Sequence, residues 1–183
     1  MRYGFLWMMT LSTLVTAQTV SQFSLPATDG KNYDLSSLLK THEAAVVIFV
    51  ATKCPYSNAY NERYNRLAKS LKESKIAFLP INSNDTESLA QVKAHSQDQK
   101  FSFPVLKDDG HKVADLFEAA KTPEVFMVDK KLNIIYHGRI DDDSEGKSPA
   151  PSEDLLAAVS DLLGKREIRV KQTKAFGCSI KRN

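Results

Sequence analysis

The chain has 183 residues, of which 42% are hydrophobic and 26% charged, with a formal net charge of +3. That length and composition fit one soluble globular domain, and the charge is too small to argue for a nucleic-acid partner. Most of the excess is local: Lys165, Arg166, Arg169, Lys171, Lys174, Lys181 and Arg182 crowd the C-terminus, which reads as a solvated basic tail.

The first 17 residues stand apart. Arg2 supplies a positive charge, Gly4 to Val15 is mostly apolar and too short to span a bilayer comfortably, and Val15-Thr16-Ala17 is a small-residue exit. Residues 1–17 are therefore expected to be a signal peptide cut after Ala17. The mature chain would then be periplasmic or secreted, without stable membrane insertion, in a compartment where disulfides persist.

Phe23 to Leu35 predicts two short strands joined by a turn at Asp29-Gly30. Ser36 or Ser37 is placed as the cap of a brief helix through Lys40. Ala45 to Ala51 is an unbroken apolar run, as expected of a strand buried on both faces. Cys54-Pro55 follows, and Tyr56, Tyr60, Tyr64, Leu67 and Leu71 recur at helical spacing, predicting one helix to about Ser74. Ile76 to Ile81 is a second parallel strand, with Pro80 marking its end or an irregularity. Thr86 is expected to cap a helix, with Glu87 in its first turn, that runs to about Gln99. Phe103 to Leu106 is extended, and His111 to Ala120 is a short helix. Val125–Val128 and Ile134–Ile140 form an antiparallel hairpin. A polar loop over 141–150 leads to a last helix capped by Ser152 and ended by Gly164. Residues 165–183 read as an extended tail on a domain of 18–164. The result is an α/β fold, a mixed sheet with helices on both faces.

Cys54 lies where a buried strand hands over to a helix N-terminus, a position that favours a thiolate. Pro55 suits the first helical position because it has no N–H to leave unpaired. The only other cysteine is Cys178. This spacing excludes a Cys-x-x-Cys zinc site, and neither a metal nor a cofactor is expected. A Cys54–His137 metal pair and a cation at Asp141-Asp142-Asp143 are the weaker metal readings, with Arg139 an alternative partner for those carboxylates. His42 and His95 are read as solvated, and His111 as opening a helix with no metal-ligand partner at the right spacing.

The chain resembles the redoxin, or alkyl hydroperoxide reductase/thiol-specific antioxidant, branch of the thioredoxin-like fold. The residues that carry the resemblance are Phe23-Ser-Leu, Asp29-Gly-Lys, Tyr33-Asp-Leu35, Cys54-Pro-Tyr-Ser-Asn-Ala-Tyr60, Thr122-Pro-Glu-Val-Phe126, Tyr136-His-Gly-Arg-Ile-Asp-Asp142 and Gly177-Cys-Ser-Ile180. It implies a three-layer sandwich with an N-terminal hairpin extension and a cis proline at Pro123. It also implies Cys54 as the nucleophile and Thr122-Pro123 as a backbone dock. The substrate would be a protein thiol or disulfide, or a peroxide, and the reductant is not specified. Lys121, just before Thr122-Pro123, either lowers the thiol pKa or faces solvent, and Glu124 either relays a proton or pairs with a lysine.

Two departures from the family pattern limit this reading. Ser57 stands where a dithiol enzyme has its second cysteine. Val47 and Ala51 stand where a peroxiredoxin has its proline and threonine, unless Thr52 substitutes for the latter. Cys178 is the candidate replacement thiol. Some fourteen residues after Gly164, at roughly 3.3 Å each, cross a small domain, and Gly177 permits a close approach. A distant resolving thiol, a structural disulfide and two unpaired thiols all remain open, as does a non-catalytic binding module. The redox reading requires Cys54 to be ionised, reachable and opposite Pro123.

Overall fold

The computed structural model describes residues 18–145 and 150–182. The expected leader and part of the 141–150 loop lie outside them. Strand β3 (Ala44–Phe49) is buried at every position. It pairs in parallel with β4 (Ile76–Asn82) and antiparallel with β7 (Glu124–Asp129). Outside these lie β5 (Leu106–Lys107), parallel to β4, and β8 (Ile134–Gly138), antiparallel to β7, giving the order β5-β4-β3-β7-β8. Successive β3 residues serve opposite cores. Ala45, Val47 and Phe49 meet Leu35, Val113 and Phe117, whereas Ala44, Val46 and Ile48 meet Tyr64, Leu71, Leu155 and Val159. This is the expected three-layer mixed α/β sandwich. The N-terminal hairpin is β1 (Ser24–Pro26) against β2 (Asn32–Asp34).

Several local expectations are corrected. Helix α1 (Leu35–Leu39) is capped by Asp34, whose carboxylate accepts the Ser37 N–H at 2.7 Å, not by a serine. The helix after Cys54 is two helices, α2 (Pro55–Ala59) and α3 (Asn61–Glu73). They divide at Tyr60, whose N–H closes back on the Ser57 carbonyl at 3.1 Å and tightens the last turn. The break rotates Tyr56 out of the predicted apolar stripe, leaving it 43% exposed. Pro80 lies inside β4, and β5 pairs only from Ile81 onward, so no ladder donor is missed there. Helix α4 (Leu89–Asp98) is capped by Ser88 in a reciprocal box with Gln91, and Thr86 is not its cap. Helix α5 is Lys112–Leu116. Helix α6 (Asp154–Leu163) has Glu153 at its cap position, and the Ser152 hydroxyl donates to Asp154 instead. Two strands had no sequence signal: β6 (Lys121–Thr122) and β9 (Cys178–Ser179), which pair antiparallel.

The tail is an ordered strap, not a solvated one. Arg166 and Arg169 both donate to Asp161. His137 N–H donates to the Lys171 carbonyl at 2.9 Å, and Thr173 N–H to the His137 carbonyl at 3.0 Å, so the tail runs along β8. Gly138 makes this contact possible. At φ +151°, a Cβ on it would lie 2.0 Å from Thr173 Oγ1. Gly138→Ala is therefore expected to lift the tail and to cost more than about 1 kcal/mol of stability, measured as a fall in the urea midpoint at unchanged slope.

Candidate active site

The turn between β3 and α2 is held from below by one carboxylate. Glu87 is buried and accepts the Thr52 N–H at 2.8 Å and the Lys53 N–H at 3.3 Å. It also accepts from the amides of Asn82 at 2.6 Å and Asn84 at 2.9 Å. Burial would raise its pKa, but these donors outweigh that and hold it below the ordinary carboxylate value. The expectation that Glu87 sits in a helix's first turn was wrong because the cap falls two residues later, at Ser88, which leaves Glu87 before the helix and turned inward. Its partners also include the Thr52 side chain. Thr52 is thus engaged away from the thiol and does not stand in for the missing threonine at Ala51.

Cys54 is the N-cap of α2. Its sulfur accepts the Ser57 N–H at 3.4 Å, and its thiol donates to the Thr122 carbonyl at 3.1 Å. Burial pushes the thiol pKa up, but hydrogen bonds from the Cys178 thiol, the Thr122 hydroxyl and the Ser57 N–H more than reverse this, so it lies below the ordinary thiol value. Helix α2 has five residues, too few for a large dipole, so the lowering comes from these donors more than from the helix. The Cys178 thiol is pushed up by burial and by the adjacent Cys54 sulfur. Of the two sulfurs, Cys54 thus gives up its proton more readily and Cys178 less readily.

Thr122-Pro123 is a cis peptide, and Cys54 faces it. The ladder between β6 and β9 sets Cys178 opposite Thr122, and both cysteines are free thiols. Gly177 is required at this crossing. Its φ is +143°, and a Cβ would lie 2.1 Å from the Thr122 carbonyl oxygen. Glu124 accepts the N–H groups of Ala120 at 2.7 Å and Lys121 at 2.8 Å, fixing the backbone just before Thr122. Its remaining oxygen meets His137 Nε2 at 2.7 Å. It therefore neither pairs with a lysine nor touches the thiol. His137, stacked on Phe126 at 4.2 Å, is turned to Glu124 and not to Cys54.

The requirement of solvent access is not met by Cys54 itself, which is only 3% exposed. Cys178 lies against it and is half-buried. Ser57 is buried, and its hydroxyl accepts the Ala51 N–H at 3.2 Å and touches Tyr64 Oη at 3.3 Å. Pro55 and Lys53 are exposed beside the pair. The acidic run does not form a cation loop. Asp141 and Asp143 bind Arg63 at 2.9 and 2.6 Å, and Tyr60 Oη also donates to Asp141. Arg139 pairs with Asp154 at 2.7 Å, not with that run. Nor are the histidines simply solvated. His111 meets Asp85 at 3.0 Å, His95 packs on Phe101, and His42 bonds the Leu38 carbonyl. Among the described residues no group of three His, Cys, Asp or Glu side chains is arranged to hold a metal.

A family model described as the AhpC/TSA family matches residues 16–137. No curated protein matches the sequence significantly. Among solved structures, a hypothetical protein from Sinorhizobium meliloti is similar at TM-score 0.83 and 29% identity, covering 94% of this chain and 97% of that one. An uncharacterized conserved protein from Geobacillus kaustophilus gives TM-score 0.84 and 29% identity over 94% of each chain. Peroxidoxin BcpB from Mycobacterium tuberculosis, at 20% identity and TM-score 0.59, covers 81% of this chain and 94% of its own, and supports the fold. With its thioredoxin-like sandwich and a family match over most of its length, the chain belongs to the AhpC/TSA family of thiol oxidoreductases.

Proposed function

We propose that the protein is an exported thiol–disulfide oxidoreductase whose Cys54 and Cys178 alternate between a dithiol and an intramolecular disulfide. The observation that carries this is that both cysteines meet at Thr122, whose carbonyl accepts from the Cys54 thiol at 3.1 Å and which is the ladder partner of Cys178, beside cis-Pro123. Forming the bond removes two electrons and two protons from the pair. The same two electrons and protons convert a substrate disulfide, RSSR, into two RSH. The thiolate character of Cys54 supports its role as nucleophile toward sulfur. Thr122 and Pro123 present the backbone edge, Glu124 positions it through the Lys121 amide, and Pro55 opens the helix beneath the thiol. Export rests on the apolar run and small-residue exit within residues 1–17.

Exchange is favoured over peroxide reduction. The pattern that would orient a peroxide is replaced by Val47 and Ala51, and Thr52 is committed to Glu87. The competing reading, a binding module with inert cysteines, is favoured by the burial of Cys54 and opposed by its lowered pKa and its sulfur partner.

Oxidation of the reduced protein with diamide is expected to give a monomer two mass units lighter, with a Cys54–Cys178 peptide pair in its digest. Closing so long a loop should stabilise the fold by up to about 4 kcal/mol, seen as a higher Tm that dithiothreitol reverses. Absence of that linkage after oxidation would sink the proposal. A second expectation concerns pH. The pH midpoint of Cys54 alkylation in the native protein should lie below that of an ordinary thiol, about 8.5. Cys178→Ala removes a donor to the thiolate, so the midpoint should move upward. An unchanged midpoint would show that Cys178 does not stabilise the anion.

A further inference from the structure

Resting on the exchange reading, one question is which sulfur meets the substrate, and in what company. A polypeptide substrate would reach this site by adding a strand to the edge at Lys121–Thr122. That edge is already occupied by Cys178–Ser179 of the same chain. The occupant is tied down on both sides. Downstream, Ile180 N–H donates to the Ala120 carbonyl at 3.0 Å and its side chain is buried in the core. Lys181 is bonded through its carbonyl to Asp85 N–H at 2.9 Å and through its N–H to Asn84 at 2.8 Å. Arg182 reaches the Ala119 carbonyl at 2.7 Å. Upstream, Gly177 abuts the Thr122 carbonyl, Phe176 packs on Tyr60, and Thr173 is stitched to His137 and Arg139. A tethered strand with these anchors acts at high effective concentration, and a free peptide does not compete with it.

We infer that Cys178, not Cys54, is the sulfur that carries the mixed disulfide, and that the exchanging partner is a compact low-molecular-weight thiol or disulfide, not an extended protein segment. Cys54 is buried and Cys178 half-buried, so in the oxidised protein the accessible end of the Cys54–Cys178 bond would be Cys178. A small thiolate, RS⁻, attacks Cys178 Sγ. The bond to Cys54 breaks, and Cys54 leaves as a thiolate beside the Ser57 N–H. The anion of lower proton affinity is the better leaving group. A second RS⁻ then attacks the R-bearing sulfur, forming RSSR. Cys178 leaves and takes a proton from solvent. Two RSH are oxidised to RSSR and the protein disulfide is reduced to a dithiol. Run backwards, RSSR is reduced, with Cys54 displacing RS⁻ from Cys178 from the inner side. This assigns Cys54 the resolving position that the sequence reading gave to Cys178.

The test uses bis(2-hydroxyethyl) disulfide as the small probe and insulin as the protein probe. On the full-length chain, the Cys54→Ser variant should gain one hydroxyethylthio group on Cys178, and should do so about tenfold faster than Cys178→Ser gains one on Cys54, in line with exposure-controlled thiol reactivity. The reduced wild-type protein should be oxidised to the Cys54–Cys178 disulfide by the small probe while leaving insulin unreduced. Ile180→Ala, which loosens the strand downstream but keeps both thiols, should gain insulin reduction. Faster labelling of Cys54 than of Cys178, or wild-type reduction of insulin at the rate of the small probe, overturns the inference while leaving the dithiol cycle standing. Failure of the small probe to form the Cys54–Cys178 bond removes the dithiol cycle, and the inference with it.

Discussion

The crossing of Gly177 over the Thr122 carbonyl is the contact on which the arrangement depends. A backbone that passes so close to another carbonyl has no room for a side chain, and its φ lies where L residues are strained. The crossing puts the next residue, Cys178, in ladder register with Thr122, whose carbonyl already touches the Cys54 thiol. Three segments far apart in sequence therefore meet at one sulfur: the end of β3, the cis-proline edge and the tail. None of them makes a thiol pair alone.

Two buried carboxylates hold the first two of those segments, and they do it in the same way. Glu87 collects the amides of Thr52 and Lys53, just before Cys54. Glu124 collects the amides of Ala120 and Lys121, just before Thr122. In each case an irregular stretch of backbone has N–H groups without a ladder partner, and leaving such groups buried and unpaired costs about 1–3 kcal/mol each. A carboxylate satisfies two at once and gains charge-assisted bonds in return. Against the opposing effect of burial, hydrogen bonds lower both pKa values, led by the Thr52 amide at Glu87 and by His137, then the two amides, at Glu124. The acids here are structural anions that set the backbone, which explains why neither is aimed at the sulfur.

The parts of this fold that could be read from sequence are those whose signal is long. The apolar run through Val47 announced a strand buried on both faces, and Leu155 to Leu163 announced an amphipathic helix. The parts that escaped are short or inward-turned. Strands β6 and β9 are two residues each, which no periodicity resolves, yet they join the two cysteines. The break at Tyr60 is a tightening of one turn, its N–H closing on the Ser57 carbonyl, which an apolar period does not reveal, and with it went the placement of Tyr56. Glu87 looked like a first-turn acid because Thr86, just before it, is itself a capping residue type. The signal that favours Ser88 is Gln91 three residues on, the partner a capping box needs. Proximity of Cys54 to Pro123 rested on resemblance. The shielding of Cys54 by the tail had no sequence signal, because exposure is decided by what packs on top.

Ser57 shows why the second sulfur comes from the tail. Its hydroxyl accepts the Ala51 N–H where β3 ends and contacts the Tyr64 hydroxyl, while its own N–H supports the Cys54 sulfur. A cysteine at this position would keep the last of these bonds but offer the Ala51 amide a weak sulfur acceptor. The end of the central strand would then lose part of its closure in a fully buried setting. With oxygen at position 57, the helix can be a fixed support for one anion. The second sulfur sits on a separate strap, held to the site by the two β6–β9 ladder pairs and by Ile180, and the proposed disulfide would add a covalent bond to that hold. Cys178, which favours the thiolate form of Cys54 in the reduced state, is also the sulfur that the proposed cycle would bond to it.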